Sequence, residues 1–235
     1  MIKVVLFDLD GTLLPMDQDL FMKAYMGTMA KKLAPYGYEP ETLGKGVWSG
    51  VKAMVLNDGS RTNEEAFWDT FSSVLGEKVR EDIPIFDEYY KNEFQSVKES
   101  CGYDERAKQI VMKLKEKGYR VVLATNPLFP SIATESRMKW AGLAPEDFEL
   151  FTTYEDSHFC KPNPKYYFEI LEKLGVAPEE CMMVGNDVTE DMMTKDMGMQ
   201  VFLLTGSLIN KDNKDISEYP NGDFDELLRF IEEQL

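Results

Sequence analysis

Two carboxylates two positions apart, Asp8 and Asp10, leave an apolar run in Asp8-Leu9-Asp10-Gly11-Thr12. If one carboxylate meets a phosphorus centre, it can attack there while its neighbour donates a proton to the departing oxygen. The same five residues also read as a strand end followed by an Asp-Gly turn, so the chemistry depends on what else reaches that end. Thr125-Asn126 closes a second apolar run and presents a hydroxyl and amide donors, which phosphate oxygens accept; Thr-Asn-Pro is also a plain turn. Lys161, in Cys160-Lys161-Pro162-Asn163-Pro164, stands just ahead of a helix whose first turn tolerates proline. A lysine there can neutralise phosphate and orient a nucleophile, or simply be a solvated surface charge. Asn186-Asp187-Val188-Thr189-Glu190-Asp191 gathers oxygen side chains after a third apolar run. Mg2+ takes oxygens of this kind, usually one or two carboxylates with several waters and a substrate phosphate. Helix N-capping by Asp187 is the structural alternative and is compatible with metal binding.

The elements that must position these residues are legible as a rhythm. Apolar, β-branched runs at Lys3 to Phe7, Arg120 to Ala124, Cys181 to Val184 and Gln200 to Leu204 predict strands, with Phe148 to Thr153 a weaker fifth. Helical spacing covers Asp104 to Lys117, Ser131 to Ala141, Pro164 to Leu174, Thr189 to Met197 and Asp223 to Glu233. Gly118, Gly142, Gly175 and Gly198 follow four of these as stop residues. Alternating strands and helices predict an α/β fold with a mainly parallel sheet covered on both faces.

Residues 16–99 break that rhythm with helical patterns and no strand, which predicts an inserted all-α segment. Thr62 and Glu65 form a capping-box pattern ahead of Phe67, Trp68 and Phe71, and Tyr89, Tyr90 and Phe94 form a second aromatic stripe expected to pack. Gly44-Lys45-Gly46-Val47-Trp48-Ser49-Gly50 reads as a flexible loop in which Lys45 and Trp48 offer a charge and a flat surface to a substrate. Gly206 to Asn221 reads as a surface excursion. The only histidine, His158, is not needed for acid–base work, and the methionines, such as Met182 and Met183, read as core filler.

The composition narrows the function classes. A net charge of −16 opposes sequence-independent binding to nucleic acid or to an anionic membrane. Cys101, Cys160 and Cys181 are scattered without a CxxC pair, which suggests neither a disulfide framework nor a zinc site and fits a reducing cytoplasm. The first apolar run is broken at once by Asp8 and Asp10, unlike a signal peptide, and no run approaches the ~18 residues of a membrane span.

Taken together and in order, DxDGT at Asp8 to Thr12, the strand-terminal Thr125, Lys161 before a helix and the acidic motif at Asn186 to Asp191 resemble the haloacid dehalogenase (HAD) superfamily of aspartate-nucleophile phosphohydrolases. The resemblance covers nearly the whole chain. It implies a doubly wound, Rossmann-like parallel sheet of order 3-2-1-4-5 in a core of residues 1–15 and 100–235. A helical cap of residues 16–99 would close over it, with hinges near Pro15 and near Ser100 to Gly102. It implies a Mg2+-dependent hydrolase of a small phosphorylated metabolite, working through an aspartyl-phosphate on Asp8 with Asp10 as acid and base. Thr125, Asn126 and Lys161 would grip the phosphoryl oxygens. Asp8 and the main-chain carbonyl of Asp10 would hold the metal with a third ligand from the acidic motif.

The chain departs from the family there, because Asn186 stands directly after the glycine where an acid is usual, and Asp187 comes next. The third ligand is thus Asp187 or Asn186, with Asp191 expected to orient Lys161 or a metal-bound water. Relatives that cleave carbon–halogen bonds lack the second aspartate, which Asp10 supplies here. A phosphomutase of the β-phosphoglucomutase kind shares all four motifs, and a silent phosphate-binding scaffold would keep them without turnover.

Overall fold

A computed structural model describes residues 1–235 throughout. Strand β1 (Val4–Phe7) is four apolar residues buried on both faces, and so takes the centre of a parallel sheet. It pairs with β2 (Arg120–Leu123) on one side and β4 (Cys181–Gly185) on the other, Val4 lying opposite both Arg120 and Cys181. Beyond them lie β3 (Leu150–Phe151), β5 (Gln200–Leu204) and β6 (Asn221–Gly222), giving the order β3-β2-β1-β4-β5-β6, all parallel. The expected 3-2-1-4-5 order is present and extended by one strand. The region read as a surface excursion ends in β6, whose two residues pair with Leu203 and Leu204 through backbone alone and carry no apolar pattern.

Side-chain alternation along the strands splits the interior in two. Val5, Phe7, Leu123, Met182 and Val184 face helices α5 (Glu105–Glu116) and α8 (Phe224–Gln234) through Ile110, Leu114, Leu227 and Ile231. Val4, Leu6, Val122 and Met183 face α7 (Pro164–Leu174) through Tyr166, Tyr167 and Ile170. Helix α6 (Ser131–Trp140) follows β2. The helix expected over Thr189 to Met197 is instead a turn followed by one short 3-10 turn at Met192–Lys195. No helix is long and apolar enough to cross a membrane.

Between β1 and α5 run α1 (Gln18–Leu33), α2 (Pro40–Val55), α3 (Asn63–Leu75) and α4 (Ile83–Lys91). The chain leaves and returns side by side: Met16 bridges Cys101, and Gly102 N donates to Pro15 O at 2.7 Å. The capping box forms as its sequence predicts, with Thr62 accepting from Glu65 N and Glu65 from Thr62 N. The segment Gly44 to Gly50 is not a loop but the middle of α2. Its glycines serve contact between helices: a Cβ on Gly50 would lie 2.4 Å from the Phe67 ring, and one on Gly46 2.9 Å from Phe71. Tertiary packing of α2 against α3 thus outweighs the low helix propensity of glycine.

Candidate active site

The ends of β1, β2 and β4 open into one cavity of about 390 Å3, where open α/β sheets place their ligands. Asp8, Asp10, Thr125, Asn126, Asn186 and Asp187 all line it. Residues far apart in the chain therefore converge on one point, as their positions at strand ends predict.

Asp8, the first residue after β1, is buried and held from two sides. Its Oδ1 accepts from Lys161 Nζ at 2.9 Å and its Oδ2 from Thr12 Oγ1 at 3.2 Å. Lys161 is not a solvated charge: it is 1% exposed, and its ammonium also donates to Asp191 Oδ1 at 2.6 Å. Burial disfavours the cation, but Asp191 and Asp8 outweigh that cost and hold the ammonium well above its ordinary pKa. Asp191 is fixed in turn by Asp187 N, which donates to its Oδ2 at 3.0 Å. Gly185 makes room for this carboxylate, since a Cβ there would fall 2.1 Å from Asp191 Oδ2.

Thr125 presents its buried side chain at the cavity wall while Tyr166 OH and Thr152 Oγ1 pin its carbonyl at 2.8 and 2.6 Å. Asn126 Nδ2 donates to Glu190 Oε2 at 3.0 Å, and its buried Oδ1 has no partner. Asn186 Oδ1 accepts from Thr12 Oγ1 at 3.0 Å, so one hydroxyl ties Asn186 to Asp8. Asp187 Oδ1 is committed to the backbone, accepting from Thr189 N and Glu190 N at 2.7 and 2.9 Å. The capping reading therefore describes Asp187 Oδ1, while Asn186 Oδ1 and Asp8 Oδ2 both lie within hydrogen-bond reach of Thr12 Oγ1. No cluster of three or more Cys, His, Asp or Glu side chains suited to a metal is formed.

Asp10 reveals a residue that sequence reasoning missed. Its Oδ2 accepts from Arg137, a fully buried arginine on α6, while its Oδ1 is buried without a partner. The guanidinium is braced by Ala133 O and Thr134 Oγ1 and lies 4.3 Å from the Phe129 ring centre. Burial pushes the Asp10 carboxyl above the usual range, against the pull of Arg137. Arg137 is buried on α6 with Ala133, Met138 and Trp140, and no local sequence signal marks it. Glu190 and Lys211 also line the cavity without having been singled out, and burial pushes the Glu190 carboxyl up.

Of the two α2 residues expected at the substrate, only Trp48 lines the cavity. Lys45 does not: its ammonium is exposed and pairs with Glu41 one helical turn away at 2.8 Å. A loop could have turned both side chains inward, whereas a helix fixes their directions. His158 lies outside the cavity, its Nδ1 3.0 Å from Glu169 Oε1. All three cysteines are free, Cys160 and Cys181 buried.

The geometry sets one carboxylate, Asp8, on a buried lysine beside a second, Asp10, on a buried arginine. Residues 2–198 match the family model for haloacid dehalogenase-like hydrolases. The chain is a HAD-like hydrolase. This HAD-like hydrolase is 27% identical over 186 residues to the pyrophosphatase PpaX of Bacillus cereus, covering 79% of this chain and 75% of that protein. Its fold is similar to that of a HAD phosphatase of Thermococcus onnurineus, with a TM-score of 0.58, 20% identity and 98% of both chains covered. A HAD family enzyme of Bacteroides thetaiotaomicron, solved in complex with magnesium and inorganic phosphate, matches with a TM-score of 0.52 and 18% identity over 92% of this chain and 98% of that one.

Proposed function

We propose that this HAD-like hydrolase cleaves small phosphomonoesters through a phosphorylated Asp8. The observation that carries the reading is the pairing of Asp8 with the buried Lys161 at 2.9 Å, two residues from an Asp10 whose carboxyl burial pushes up. One Asp8 carboxylate oxygen bonds to phosphorus as the bond from phosphorus to the ester oxygen breaks, and Asp10 gives that oxygen its proton. Arg137 holds Asp10 Oδ2 and so fixes the orientation of the carboxyl that carries the proton. In the second half, the Asp10 carboxylate takes a proton from water as the water oxygen bonds to phosphorus, and the bond between phosphorus and the Asp8 oxygen breaks to release phosphate. Lys161 Nζ, Thr125 Oγ1 and the Asn126 amide hold the phosphoryl oxygens throughout.

The donor set suits Mg2+, since it is made of oxygens only and one Thr12 hydroxyl bridges the Asp8 and Asn186 oxygens. Asp8, the Asp10 carbonyl and Asn186 would hold the ion, with Asp187 the alternative to Asn186 and Asp191 orienting Lys161. Bound there, Mg2+ offsets the repulsion between a carboxylate and a phosphate dianion. Residues 16–99 act as a cap over a core of residues 1–15 and 100–235. The paired crossings at Met16 with Cys101 and Pro15 with Gly102 support hinges at those positions. Closure would exclude bulk water.

Phosphate release from an aryl phosphate and from a panel of phosphomonoesters, with and without Mg2+, tests the reading. Release that requires Mg2+ and vanishes in Asp8→Asn is expected. Equal release by Asp8→Asn would overturn the role of Asp8.

A further inference from the structure

Beside the phosphate cavity lies a second chamber of about 90 Å3, and the two share Met22, Trp48, Leu128 and Phe129 as a common neck. Apart from Pro130, every residue lining the chamber is aliphatic or aromatic. Its polar side-chain atoms are few and partly paired among themselves: Tyr25 OH lies 2.8 Å from Tyr90 OH, and Trp68 Nε1 donates to Tyr154 OH at 3.3 Å. Neither a charged side chain nor an amide faces it. We propose that this chamber takes the organic end of the substrate, and that the substrate is the phosphate monoester of a short aliphatic alcohol. The inference rests on the phosphomonoesterase reading and adds to it the class of the leaving group.

Chemistry and size both point to that class. A sugar or glycerol carries several hydroxyls, which would surrender their bonds to water in a chamber whose wall is mostly apolar side chains, whereas a methyl group loses nothing there. A space of about 90 Å3 compares with roughly 30 Å3 for one liquid water and about 150 Å3 for an apolar cavity that binds benzene. It therefore holds on the order of three carbons, with one or two more passing the neck. A branched five-carbon ester such as isopentyl phosphate meets this description. Inorganic pyrophosphate and phosphorylated polyols do not, because they have nothing apolar to place beyond Trp48 and Phe129.

The test is kcat/KM of the full-length protein with Mg2+ for isopentyl, methyl and glycerol phosphates and for pyrophosphate. Isopentyl phosphate is expected to exceed glycerol phosphate at least tenfold, the scale set by apolar pockets that discriminate single methylenes by about 10- to 200-fold. Val51→Trp, which fills the chamber, should cut the isopentyl-to-methyl ratio at least tenfold. Val47→Thr keeps the volume, adds a hydroxyl and should lower the same ratio several-fold, which secures the test if the larger change does not fold. Release from every ester with glycerol phosphate or pyrophosphate preferred would overturn the chamber assignment and leave the hydrolase reading standing. No release from any ester would overturn both.

Discussion

At the strand ends, Asp8, Lys161 and Asp191 form a buried line of alternating charge, and Asp10 with Arg137 forms a second pair beside it. Across the neck, the chamber wall from α1 to α4 is held by rings such as Phe67 against Phe71 at 5.1 Å and Trp68 against Phe86 at 5.5 Å. The first region depends on partners of defined charge and geometry, so removing one strands the others in a low-dielectric site. The second depends on shape and volume, which neighbouring rings can partly restore by repacking. On the proposed reading, the chemical step belongs to the sheet and substrate choice to the inserted helices.

The sharpest way to break that contrast is Lys161→Met. Asp8 and Asp191 would then be buried without their cation, and removing one member of such a pair costs about 3–5 kcal/mol. Phosphate release should fall by roughly 10^2- to 10^3-fold, as when a donor aimed at developing charge is deleted. Adding Asp191→Leu should recover stability in urea without recovering activity. Recovery of both would mean that the charge line is structural only.

Arg137→Met should act next most strongly, because it strips Asp10 of its only side-chain partner. Asp10 already sits above the usual carboxyl range through burial, and Arg137 pulls it down. Loss of Arg137 therefore moves it further up. Since the protonated form is the proton donor, the alkaline limb of the kcat profile should shift to higher pH, with kcat lowered about 10- to 100-fold by the misplaced acid. Arg137→Lys, which keeps the charge, should return the limb most of the way. An unmoved limb would remove Asp10 from the proton-transfer step.

A milder change probes the helical wall. In Gly50→Ala the new Cβ would meet the Phe67 ring at 2.4 Å, so the ring must shift at a cost of about 1–3 kcal/mol, against a helix gain of about 1 kcal/mol. The net expectation is a loss near 1 kcal/mol and a fall in Tm of about 2–4 °C. Because Phe67 lines the chamber, the isopentyl-to-methyl ratio should fall while hydrolysis of methyl phosphate persists.

What the sequence disclosed follows the same division. Val4–Phe7, Gln200–Leu204 and Pro164–Leu174 were legible almost to the residue, since burial on both faces or flanking Asn163, Pro164 and Gly175 leave local marks. The residues gathered at the sheet edge were legible because strand ends converge by topology. Arg137 was not, as its bond to Asp10 spans 127 positions and only the fold supplies it. The α2 glycines misled for a related reason: their flexibility is local, while the Phe67 and Phe71 rings that make them helical come from another element. β6 left no trace because backbone pairing alone defines it.

The smallest expected effect separates two neighbours on α2. Trp48 stands in the neck between the two cavities, so Trp48→Ala should raise KM for isopentyl phosphate about 5- to 20-fold through lost apolar contact. Lys45, three residues earlier, faces solvent and pairs only with Glu41, an exposed interaction of the kind that contributes little. Lys45→Ala should leave kcat/KM within about twofold for every ester, phosphorylated polyols included. Should it weaken an anionic substrate as much as Trp48→Ala weakens an apolar one, α2 would present charge to the site, and the division between a charged floor and an apolar wall would fail at the neck where both regions meet.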